Sequence, residues 1–234
     1  MIREKLFLSF TTLILLVISV LSHRNYIHKS DSRFNILFFE NRSNFLNDSI
    51  VNKMLIQKIE NKENQSILKL DLKNIEDYLE LFPEVRNAEV FFDANGTVNV
   101  KIFESSALLR IQNENFYIDS YGEKIPFSKN FTPVVPIYSG VFRDKNLEDL
   151  IILSELILND SYLKSEFVEI WEDKYGFSIR LRNYDFEVFF GDSKNSVKKI
   201  KKLKAFCAFI LENKYNKKPK RIDLTVYDQI ISTD

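Results

Sequence analysis

From Leu6 to Ser22 the chain reads LFLSFTTLILLVISVLS, 17 residues without a charge, a glycine or a proline. A helix of that length rises about 25 Å against a bilayer core of about 30 Å. Lys5 and Arg24 flank it and can snorkel to close part of the gap. So much apolar surface must enter lipid, be removed, or be buried. The residues leave three readings open. One is an uncleaved membrane anchor, favoured by span length and flanking charge. The second is a cleaved signal peptide, with Val20 and Ser22 as the small residues before the cut. The third is a buried core helix. Charge does not orient the segment: Arg3, Glu4 and Lys5 stand on one side, and Arg24, Lys29, Asp31 and Arg33 on the other.

The remaining 200-odd residues must fold without help from unusual chemistry. With 33 basic and 33 acidic residues the formal charge is zero, which argues against a general nucleic-acid binder. Five glycines leave no material for a phosphate-cradling loop. His23 and His28 are the only histidines, and both fall in the polar tether beside the apolar run. A Ser-His-Asp triad or a histidine-activated Cys207 therefore lacks its base. Cys207 lies on an apolar helical stripe and reads as a core residue. Lys194, Lys198, Lys199, Lys201, Lys202 and Lys204 form a basic run, which reads as the solvated face of an amphipathic helix. No catalytic, cofactor or metal residues emerge, and no small-molecule substrate.

Taken in order, Phe34 to Glu40 has strand composition. Asn47-Asp48-Ser49 offers a helix cap, followed by Ile50, Val51, Met54, Leu55 and Ile59 on one face. Asp71 caps a second helix, with Ile75, Tyr78, Leu79 and Phe82 inward, ended by Pro83. Residues 88–92 and 98–102 alternate as two strands around Asn95-Gly96, a hairpin signal. Strands are expected at 108–111, 116–118, 167–171, 177–181, 186–190 and 221–226. A helix is expected over 146–158, with Leu147, Leu150, Ile151, Ser154 and Ile157 inward. The last helix, opening after Gly191-Asp192-Ser193, carries Val197, Ile200, Leu203, Cys207, Ile210 and Leu211 inward. The fold class is α+β.

Leu81-Phe82-Pro83-Glu84-Val85, Ala88-Glu89-Val90 and the run from Gly96 to Glu104 resemble the second helix and terminal hairpin of a POTRA domain in the FtsQ/DivIB cell-division family. Asn115-Phe116-Tyr117-Ile118-Asp119, Gly122 and Ile125-Pro126-Phe127-Ser128 resemble the opening of that family's β-domain in its Bacteroidetes form. Phe131-Thr132 and the run from Val135 to Gly140 extend the likeness. Phe190-Gly191-Asp192, the run from Lys201 to Phe206, and Ile222-Asp223-Leu224 are similar to its last helix and closing strand. Two departures stand out. Ser105-Ser106-Ala107 replaces a stretch that usually holds proline. Asp223-Leu224-Thr225-Val226-Tyr227 lacks the usual arginine and carries its tyrosine one place late, which strand alternation would turn to the opposite face.

The resemblance implies a cytoplasmic tail (1–5), a single transmembrane helix (6–22), a tether (23–33), a POTRA-like βααββ domain (34–104) and a mixed β-domain with flanking helices (105–234). It implies a non-catalytic bitopic scaffold of the bacterial inner membrane at the division septum, its C-terminal region periplasmic. The implied partners are FtsB/FtsL-like bitopic division proteins and other divisome components. Strand addition at the closing segment is the expected mechanism, with Ile222, Asp223, Leu224, Thr225, Val226, Tyr227 and Ile230 as candidate contacts. That segment is either a free edge or a strand paired on both sides. The rival readings are a membrane-anchored POTRA-type export chaperone and a carboxylate-dependent anchored hydrolase. Replacing Ile14→Arg and Leu15→Arg together is expected to cost about 2.5–3.5 kcal/mol of insertion each, so the variant should leave the membrane fraction. Wild-type protein recovered soluble and beginning at His23 would establish the cleaved signal instead.

Overall fold

The computed structural model describes residues 10–19, 34–39, 44–60, 71–213 and 219–233. Contacts divide the chain into two units, residues 1–42 with 46–104, and residues 43–45 with 105–234. Within the apolar run, residues 10–19 form a helix, α1, which rises about 15 Å. The rest of that run, the tail and the tether lie outside the described residues. Among the described residues no helix is long and apolar enough to cross a membrane.

The first unit follows the order strand, helix, helix, strand, strand: β1 (Asn35–Phe38), α2 (Asp48–Glu60), α3 (Leu72–Leu79), β2 (Val85–Phe92) and β3 (Val98–Glu104). β3 is the middle strand, parallel to β1 and antiparallel to β2. Asn47 Oδ1 accepts from the Ile50 amide at 3.0 Å, and Asp71 Oδ1 from the Asn74 amide at 3.2 Å. Each side chain thus satisfies a donor that the first helical turn leaves orphaned. Val51, Leu55, Ile75 and Leu79 are buried, as are Ala88, Val90, Val100 and Ile102 on the strands. α3 stops at Leu79 rather than at Pro83. Tighter bonds from Leu81 to Tyr78, Phe82 to Leu79 and Val85 to Phe82 turn the chain into β2.

The second unit is one nine-stranded sheet with one continuous core. Its elements are β4 (Ala107–Ile111), β5 (Phe116–Asp119), β6 (Lys124–Pro126), β7 (Ile137–Tyr138), α4 (Leu147–Asn159), α5 (Ser161–Glu166), β8 (Phe167–Asp173), β9 (Gly176–Leu181), β10 (Glu187–Gly191), α6 (Ser196–Asn213), β11 (Arg221–Asp223) and β12 (Ile231–Thr233). The spatial order is β12-β11-β10-β9-β8-β7-β4-β5-β6. The chain is therefore mixed α+β, as its residue pattern implies.

Four of these elements, β6, β7, α5 and β12, are too short to show a period in sequence. The strand expected over 221–226 stops at Asp223, whose Oδ1 accepts from the Thr225 amide at 2.7 Å and turns the chain away. On α6 the inward stripe is narrower than expected. Ile200, Leu203 and Cys207 are buried, but Val197 and Leu211 are exposed.

The β2–β3 hairpin shows how local chemistry fixes a turn. Only Gly96 takes positive φ, at 79°; Asn95 does not. Asp93 Oδ1 accepts from the amides of both Asn95 and Thr97 at 2.8 Å. Gly96→Val is expected to cost about 1–3 kcal/mol, because a β-branched residue resists that φ. Faster native-state exchange of the β2 and β3 amides in the full chain would show it, and unchanged exchange would mean the turn tolerates a side chain.

Candidate partner-binding edge

A sheet edge presents unpaired N–H and C=O groups and is a template for another chain unless something blunts it. Two edges in this protein are blunted. β2 pairs only with β3 among the described residues, but two of its outward amides are taken by carboxylates. Ala88 N–H donates to Glu80 Oε1 at 3.1 Å and Val90 N–H to Glu76 Oε1 at 2.8 Å. β6, at one end of the large sheet, contains Pro126, which has no N–H, and Lys124.

β12, at the other end, has neither protection. β11 lies between β10, to which it is parallel, and β12, to which it is antiparallel. Glu187 N–H donates to Lys220 O, and Leu224 N–H to Phe189 O. In a parallel ladder that phase commits the N–H and C=O of Ile222 to β10. Ser232 stands opposite Ile222, so it is the residue of β12 whose N–H and C=O point away from the sheet. All three residues of β12 are exposed.

The candidate residues fall on three levels around this edge. Ile222 is fully buried and Leu224 nearly so, and both belong to the core. Asp223 ends β11 and accepts from the Thr225 amide and hydroxyl. Thr225, Val226, Tyr227 and Ile230 lie in the loop that leads into β12. Tyr227 is 75% exposed. Because β11 ends at Asp223, strand alternation does not set its direction; its ring lies 3.6 Å beneath the Lys198 ammonium.

The basic run on α6, read in sequence as a solvated face, holds this loop in place. Lys202 Nζ donates to Leu224 O and Val226 O at 2.7 Å and to Gln229 O at 3.1 Å. Burial, with Lys198 and Lys199 nearby, pulls its ammonium below the ordinary lysine range. Lys198 pairs with Asp228, which holds its ammonium above that range. Lys199 is buried and donates to Asp192 O at 2.8 Å and Oδ1 at 3.0 Å. Lys204 pairs with Asp160, the N-cap of α5, at 2.6 Å. Of the run, Lys201 is left to solvent and Lys194 reaches Asp192 only at 3.9 Å. Gly191 (φ 74°) allows close approach from below, since a Cβ there would lie 2.7 Å from Thr225 Cγ2. The sequence offers no signal for this arrangement, because the carbonyls Lys202 finds lie 22 to 27 residues away.

Among the described residues no group of three or more His, Cys, Asp or Glu side chains is placed to hold a metal ion. A family model described as FtsQ/DivIB, C-terminal related, matches residues 106–233. No curated protein matches the chain.

Lys202→Met keeps the stem but removes three charge-assisted bonds. It is expected to cost the loop about 1.5–3 kcal/mol, read as faster proteolysis and amide exchange confined to residues 224–233. Unchanged exchange there would show that Lys202 does not hold the loop.

Proposed function

The chain belongs to the FtsQ/DivIB C-terminal-related family, and on that premise we propose that it is a non-catalytic scaffold of the bacterial division septum that recruits partners by strand addition at β12. Membership itself carries a cell-division role in a non-enzymatic division family. The finer reading has the protein anchored in the inner membrane through residues 6–22, its tail cytoplasmic and its folded part periplasmic. A POTRA-like domain spans residues 34–104 and a β-domain residues 105–234. The partners are FtsB/FtsL-like bitopic proteins, each supplying an extended segment that pairs with β12.

The observation that supports this reading is the outward-facing backbone of Ser232 on an edge with neither proline nor a capping carboxylate. Main-chain bonds along such an edge give affinity, and side chains beside it give specificity. Ile222 and Leu224 act from the core, by fixing β11. Asp223, Thr225, Val226, Tyr227 and Ile230 border the incoming strand and tune its choice.

Ser232→Pro removes the outward N–H while leaving the ladder to β11 intact. It should reduce recovery of the FtsB/FtsL-like partners with the tagged full chain from membranes of its own cells by about tenfold, the loss of roughly one net hydrogen bond. The thermal midpoint should hold, because the edge strand adds little core. Full recovery with Ser232→Pro would sink strand addition at β12.

A further inference from the structure

A second surface of the large sheet has the makings of a docking site. β7 pairs with β4 and β8 only over Ile137 and Tyr138. The next residue upstream in register is Pro136, which accepts from the Arg110 amide at 2.9 Å but has no N–H to return. There the ladder stops and the sheet opens into a hollow of about 280 Å³. Its apolar lining includes Val134, Leu158 and Val168, and three cations also line it: Arg110, Lys164 and Arg182.

None of the three is paired with an acid among the described residues. Arg110 lies over the Phe127 ring at 4.6 Å, and its Nε is buried without a hydrogen-bond partner. Three like charges around one hollow repel each other, and an anion placed among them relieves that repulsion. The rim adds a second feature. The amides of Val134 and Val135, which line the hollow, make no hydrogen bond among the described residues, and Val134 is 88% exposed.

We propose that this hollow receives an acidic, extended segment of a partner protein, a carboxylate seated among Arg110, Lys164 and Arg182 with its main chain running past Val134 and Val135. The cations select the acid, and because successive amides of an extended backbone point to opposite sides, one of the two unpaired rim amides is left to donate to the segment's main chain. A free small anion satisfies the cations but not the rim. The inference does not depend on β12, and its test does not involve that edge.

The test uses the purified full chain in detergent micelles and a fluorescent octapeptide of alternating valine and glutamate. Fluorescence anisotropy should show binding that the glutamine counterpart lacks. Arg182→Gln, Lys164→Gln and Arg110→Gln should each weaken it by about tenfold, as loss of a charge-assisted bond does. Lys201→Gln, which removes one charge elsewhere, should bind as the wild type does. Arg182 is exposed, so its variant is expected to melt with the wild type and serves where Arg110→Gln fails to fold. The proposal is overturned by no binding of the glutamate peptide, by equal binding of the glutamine peptide, or by Arg182→Gln and Lys164→Gln binding as tightly as wild type. Competition by glutarate or inorganic phosphate at the peptide's own concentration would also overturn it, making the hollow a small-anion site.

Discussion

The parallel pairing of β10 with β11 is the contact on which the C-terminal half of the large sheet depends. Parallel neighbours need a crossover, and α6 supplies it. Leu203 and Cys207 of that helix share the core with Val188 of β10 and Ile222 of β11. β11 is only three residues long, too short to hold by its own propensity. It is fixed by ladders on both sides, by the burial of Ile222 and Leu224, and by the lysines of α6 beyond its end. Without that pairing α6 loses part of its floor and β12 has no neighbour.

What was legible in the sequence was what is local. Asn47 and Asp71 cap the helices they precede because a cap needs only the next three residues. Gly96 marks the hairpin because its φ is a property of the turn. Burial of Ile75, Leu79, Leu150 and Ile157 follows from helical period. What was not legible depends on distant chain. Lys202 looks like any surface lysine until Leu224, Val226 and Gln229 fold back over it. β7 is two residues long and exists only because β4 and β8 flank it. Ile231 to Thr233 give no strand signal by themselves, and the place of β12 at the end of the sheet follows from β11 taking the interior place. The family likeness drew on stretches within residues 81–104, on Asn115 to Gly140, and on stretches from Phe190 to Leu224; the last two lie within the residues that the family model matches, and the first does not.

The treatment of edges differs in kind across the chain. Glu76 of α3 and Glu80 at its C-terminal end bond two outward amides of β2, so that edge is covered in part by side chains from its own unit. Pro126 closes β6 by lacking a donor. These are the two common ways of preventing unwanted pairing, by covering and by deletion. β12, at the opposite end of the same sheet, carries neither device. Its short length limits the risk, because three residues give a stray chain few bonds.

On the proposed reading shortness also limits what a partner gains, and the lysines of α6 then matter to binding as well as to folding. Ordering a flexible segment on binding costs conformational entropy, of the order of 1–2 kcal/mol per residue for the backbone. A loose loop over residues 224–230 would leave β12 undefined and pass that cost to the partner. Lys202 gathers three of the loop's carbonyls at one point, and Lys198 fixes Tyr227 and Asp228. The cost is then met on folding, within the unit, and the edge is presented already in strand geometry. Pre-organisation of this kind raises affinity without adding contact area. On the proposed reading, it would let an edge of three residues bind a partner, with the charge on the helix behind the edge rather than on the edge itself.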